Sequence, residues 1–66
     1  MLQELSRVEQ LCVHRRYKEA ELIMERLISA YPDNSLVLSL YGEIKLVLGK
    51  TAEAEEAINV AIGISP

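Results

Sequence analysis

Apolar residues recur at Leu2, Leu5, Val8, Leu11 and Cys12, three or four positions apart with polar side chains between them. That spacing lays one apolar stripe along a helix, because 3.6 residues complete a turn. A second stripe of Ala20, Ile23, Met24, Leu27 and Ile28 predicts a helix beginning near Tyr17. The stretch "YPDNS" ends it: Pro32 cannot continue a helix, and Asp33, Asn34 or Ser35 can cap the next one. From Leu36 to Leu48 apolar residues fall on nearly every side, among them Leu38, Leu40, Tyr41, Ile44 and Val47. Such a helix is normally covered by neighbours on several faces. Gly49 then predicts a left-handed stop and Thr51 an N-cap. Glu53, Glu55 and Glu56 follow, where the helix dipole favours anions. No strand pattern competes, so the expected class is all-α with four helices.

Sliding the chain against itself by 34 residues aligns eight identities without a gap. Leu2 meets Leu36, Glu9 meets Glu43, Val13 meets Val47, and Glu19, Ala20 and Glu21 meet Glu53, Ala54 and Glu55. Ile28 and Pro32 meet Ile62 and Pro66. The chain therefore reads as one domain of two repeats, 1–34 and 35–66, each a tandem antiparallel helical hairpin.

In the second repeat Leu38, Tyr41 and Gly42 fall in the first helix, Gly49 at the turn, Ala54, Ile58 and Ala61 in the second helix, and Pro66 after it. With that period and those phased small residues, the chain resembles the tetratricopeptide repeat (TPR) family over its whole length. The first repeat supplies Leu11, Tyr17, Ala20, Met24 and Pro32, while Leu27 replaces a small residue. Lys45 and Thr51 stand where the family usually has aromatics, and Glu4, Arg7, Val8 and Arg15 also depart from its pattern. Glu4 and Arg7 suit a first helix that faces solvent. Gly42, Ala54 and Ala61 let two helices approach closely, with Leu38, Tyr41 and Ile58 filling the space between them.

The resemblance implies a TPR-type α-solenoid whose first helices line a concave face. By position the lining is Leu2, Leu5, Glu9, Cys12 and Val13, then Leu36, Ser39, Glu43, Leu46 and Val47, with Leu40 at its border. It is mostly aliphatic, and Glu9 and Glu43 are its only charges. Some TPR proteins grip a chaperone's acidic C-terminus with Lys, Arg and Asn, but Leu5, Glu9 and Leu40 stand where that clamp would need them. The lining better suits a partner's amphipathic helix or apolar segment that carries a basic residue or two. The same aliphatic residues could instead be core shared with a further repeat or a second subunit.

A net charge of −3 and a pI of about 5.0 argue against a nucleic-acid partner. The basic cluster "HRRYK", His14 to Lys18, is read as cations complementing a helix C-terminus. "MLQELSRVEQ" has no apolar run of the kind a secretory leader carries, and "LVLSLYGEIKLVLG" is too short and too charged to span a bilayer. With a single cysteine, a reducing cytoplasmic setting is the expectation.

Catalysis has little support, and nothing calls for a cofactor. His14 lies two residues from Cys12, a spacing at which helical side chains do not face each other. One His and one Cys cannot close a zinc site. "EAEE", Glu53 to Glu56, lacks the loop geometry calcium needs, and "LGKT" lacks the upstream glycine and strand of a phosphate loop.

The last helix carries Val60, Ile62 and Ile64, an apolar load expected to form an association edge. Burying three such side chains contributes several kcal/mol, at about 1.5–3 kcal/mol each. Repeat arrays usually need about three units and a polar cap. An isolated monomer is therefore not expected. A piece of a longer repeat protein, ending in phase at Pro66, is favoured over a complete chain that forms a homo-oligomer or hetero-complex. The expected function is a non-catalytic protein–protein interaction module, with a small secretion-type chaperone for an apolar client as the alternative.

Overall fold

A computed structural model describes residues 2–64. They form four helices, α1 (Leu2–Val13), α2 (Tyr17–Ala30), α3 (Ser35–Val47) and α4 (Thr51–Ile64), with no strand among the described residues. Pro66 lies outside the described residues. Each helix packs on the next in chain order, so α1/α2 and α3/α4 are two hairpins and α3 lies against the first of them. The all-α class with two tandem hairpins is the one the repeat predicts.

The turns inside the two hairpins are built alike. After α3, Gly49 has φ +80°, its N–H donates to the Leu46 carbonyl at 3.0 Å, and the Lys50 N–H donates to Lys45 at 2.8 Å. This double bond pattern is the Schellman motif, which satisfies carbonyls the helix end leaves without partners. After α1 the same pattern recurs around Arg15, with φ 60°: Arg15 N–H to Cys12 at 3.0 Å and Arg16 N–H to Leu11 at 2.8 Å. An arginine thus holds the left-handed position that glycine fills in the second repeat.

Of the three candidate caps between the hairpins, Asn34 is the one used. Its side chain accepts from the Val37 N–H at 3.1 Å and its carbonyl from the Leu38 N–H at 3.0 Å. Thr51 is not the cap of α4. The Ala54 N–H donates to the Lys50 carbonyl, so Lys50 holds the cap position and Thr51 is already helical.

The core joins Leu5, Val8 and Leu11 of α1 to Ala20, Ile23, Met24 and Leu27 of α2 and to Val37 and Ile44 of α3. In the second hairpin, buried Gly42, Ala54, Ala57 and Ala61 bring α3 and α4 together. A Cβ on Gly42 would lie 2.7 Å from Ile58 Cγ1 and 3.3 Å from the Ala54 carbonyl oxygen. Any side chain there forces Ile58 to move.

Lys45, the departure from the family's aromatic, is only 3 % exposed. Its Nζ donates to Glu21 Oε2 at 2.5 Å, lies 3.3 Å from Glu53 Oε2, and sits 5.0 Å from the Tyr41 ring centroid. Lys50 Nζ donates to the same Glu21 oxygen at 2.8 Å. A buried ammonium is tolerable only when paired in this way. Burial alone would push the Lys45 pKa down, but its bonds to Glu21, Tyr41 and Glu53 outweigh that and raise it. Bonds from Lys45 and Lys50 hold the Glu21 carboxyl below its ordinary range, although burial opposes them. The cluster ties α2 of the first repeat to α3 and α4 of the second.

Candidate functional site

The residues assigned to the concave face divide between the core and the surface. On α1, Leu5 belongs to the core cluster and Cys12 packs against it. Leu5 is therefore in the core at 6 % exposure, not in an open lining, and Cys12 is half-buried. Glu9 and Val13 remain exposed, whereas the Leu2 side chain lies outside the described residues. On α3, the positions Leu36, Ser39, Leu40, Glu43, Leu46 and Val47 share one face at helical spacing. Ser39 and Leu40 are half-buried, Glu43 is exposed, and Leu36, Leu46 and Val47 are large apolar side chains about half exposed. The open part of the site is therefore the α3 strip, flanked by Glu9, Cys12 and Val13.

The expected terminal edge does not gather into one patch. Ile62 joins Ser35, Leu36, Ser39, Ile58 and Ala61 around an open cleft of about 310 Å³ between α3 and α4, and so continues the α3 strip. Val60 faces the other way, lining a cleft with Ile28, Leu38 and Tyr41 that looks back toward the first repeat. Ile64, four residues on from Val60, is exposed on that same side of α4. Two residues along a helix turn a side chain about 200°, so alternate apolar positions near the end of α4 serve opposite faces.

The Cys12 thiol is pushed up in pKa by burial and then by the nearby carboxylates of Glu43 and Glu9. The surroundings that make a cysteine nucleophilic are the reverse of these. Among the described residues, no group of three His, Cys, Asp or Glu side chains could hold a metal ion. None of the described helices is long and apolar enough to cross a membrane. The cations of "HRRYK" follow the last residue of α1 and run into α2; Arg15, Arg16 and Lys18 line a cleft at that end with Leu48.

Sequence reasoning missed the buried Glu21–Lys45 cluster and the cleft beside Ile58. The repeat alignment does hold a signal for the cleft, since Ile58 and Ile62 match Met24 and Ile28 of the first hairpin, whose equivalent face is covered.

Paired antiparallel helices, a 34-residue period and an open face on the first helix of the second hairpin define a helical-repeat protein of the interaction type. A family model described as "Tetratricopeptide repeat" matches residues 14–66. The chain belongs to the tetratricopeptide repeat family, whose members are typically non-catalytic protein–protein interaction modules. Searches of curated proteins and of solved structures found no significant match.

Proposed function

We propose that this chain is an adaptor that docks a partner's amphipathic helix or apolar segment along the α3 strip, from Val47 and Leu46 through Leu40 and Leu36 to Ile62. The observation that carries this reading is that three large aliphatics at helical spacing on one face of α3, Leu36, Leu46 and Val47, stay about half exposed. An apolar strip of this length is unusual on a free monomer surface and marks a binding face. Glu9 and Glu43 border it, which favours a partner with a basic residue at its margin.

A partner chain suits the strip better than a stacked second copy, because the outward face of α1 is polar at Gln3, Ser6, Arg7 and Gln10. A cytoplasmic setting goes with this reading, since Cys12 has no second cysteine to pair with. The chaperone alternative uses the same strip and differs in its client, an apolar subunit that aggregates when the chain is withheld.

Leu36→Glu and Leu46→Glu, both at exposed positions of the strip, test the reading. Each should abolish partner binding while circular dichroism shows the helices intact. Binding that survives both changes would move the site off α3.

A further inference from the structure

Four of the chain's seven lysines and arginines gather at the end where both hairpins turn, although the net charge of the whole is −3. Arg15, Arg16 and Lys18 line a cleft of about 380 Å³ with Tyr17 and Leu48. Lys18 and Lys50 line a second cleft, of about 330 Å³, with Glu21, Leu22 and Leu48. The two clefts share Lys18 and Leu48, and no residue of the α3 strip lines either one. All four cations are exposed. The acids beside them are already engaged: Glu21 accepts from Lys45 and Lys50, and Glu19 lies 3.9 Å from Arg16. Arg15 and Lys18 make no ion pair among the described residues.

These cations stand where local rules disfavour them. The last turn of α1, whose dipole would welcome a cation, holds none. Lys18 sits instead in the first turn of α2 and Lys50 at the cap position of α4, helix ends that repel positive charge. Arg15 holds a left-handed conformation, φ 60°, where the second repeat has glycine. Lys50 has a use within the fold, through Glu21, but Arg15 and Lys18 have none. Departures from local preference that collect at one place point to function there.

We propose that this turn end binds an acidic peptide segment, with an apolar side chain seated against Leu48 and Leu22 and its carboxylates facing Arg15, Lys18 and Lys50. The floor of the clefts is aliphatic and their rim cationic, which suits a segment that mixes leucine-like and acidic side chains. A bare phosphate has nothing to place on the leucines. The site is separate from the α3 strip and opposite to it in charge preference, since Glu9 and Glu43 border that strip. One chain can therefore hold two segments of opposite charge at once.

The probe is a short fluorescein-labelled peptide of leucines set between glutamates, titrated against the full chain by fluorescence anisotropy, beside the same peptide with glutamines for the glutamates. The glutamate peptide is expected to bind, the glutamine peptide to bind roughly tenfold more weakly, and Lys18→Glu in the chain to cost a similar factor. Arg15→Gly should weaken binding several-fold while raising the unfolding midpoint, a split that an arginine serving the fold alone would not give. Leu36→Glu should leave this binding unchanged, which separates the site from the strip on α3. No binding, equal binding of the two peptides, or binding indifferent to both Lys18→Glu and Arg15→Gly would overturn the site and leave the α3 docking face standing. Binding lost in Leu36→Glu alone would overturn it too, by moving the peptide to α3. Anionic vesicles or duplex DNA that bind more tightly than the peptide would overturn the assignment to an acidic segment.

Discussion

Glu21 of the first repeat and Lys45 of the second form a buried ion pair at 2.5 Å, across 24 residues of sequence and across the junction between hairpins. Lys50 supports the same carboxylate from the surface, and Glu53 and Tyr41 support the ammonium. Breaking a buried pair from one side strands the other charge, whereas replacing both partners by apolar groups can be nearly neutral. Lys45→Met should therefore destabilise the fold by about 1–3 kcal/mol, less than a fully isolated pair would lose because Lys50 remains. Adding Glu21→Leu should recover most of that loss. Urea unfolding of the two singles and the double gives the coupling directly, and additive losses would contradict it.

The same pair sets the pH range of stability. Glu21 is more acidic folded than unfolded, so its contribution is present above the ordinary carboxylate value and lost as pH falls through the lowered one. Lys45 is more basic folded than unfolded, so its contribution is full below the ordinary value of 10.5 and lost only as pH rises through the raised one. Between these limits the pair adds no pH dependence. Thermal melts from pH 5 to pH 9 should be flatter for the wild type than its midpoint at pH 3 would suggest, with the acid loss reduced in Glu21→Leu/Lys45→Met.

Arg15 and Gly49 hold equivalent left-handed turns, at φ 60° and φ 80°. A side chain in that conformation crowds the following carbonyl, a penalty of about 1–2 kcal/mol, part of which glycine's greater freedom in the unfolded chain takes back. Arg15→Gly should stabilise by about 0.5–1 kcal/mol, and Gly49→Ala should destabilise by a similar amount. Unfolding midpoints that move in the opposite directions would contradict the turn geometry.

Gly42→Ala should cost about 1–3 kcal/mol, because the new Cβ meets Ile58 Cγ1 at 2.7 Å and the Ala54 carbonyl at 3.3 Å. In an Ile58→Ala background the first of those clashes disappears, and the added cost of Gly42→Ala should fall well below its value in the wild type. Equal costs in both backgrounds would mean that backbone freedom, not packing, decides the position.

The helices were legible because local rules place them: apolar spacing gives α1 and α2, Asn34 caps α3, and Gly49 ends it. Local rules fail at the start of α4, where residue preference points to Thr51 as the cap and the helix begins one residue earlier, on the Lys50 carbonyl. The Glu21–Lys45 pair was illegible for a different reason, since nothing in either residue's neighbourhood anticipates a contact made only when the hairpins stack. Leu5 shows the limit of transferring a lining by position: its match, Ser39, is half-buried, while Leu5 lies in the core. Val60 and Ile62 were grouped by composition, and helix geometry separates them.

If partners dock on the α3 strip and its continuation at Ile62, amide chemical shifts of the isotope-labelled chain will report it when a helical peptide with an aliphatic stripe and a basic margin is added. Leu36, Ser39, Leu46, Val47 and Ile62 should shift together and saturate at one affinity, with Leu22, Glu25 and Arg26 on the outer face of α2 unmoved. Shifts centred on that outer face, or on Val60 and Ile64 without Leu36, would contradict it.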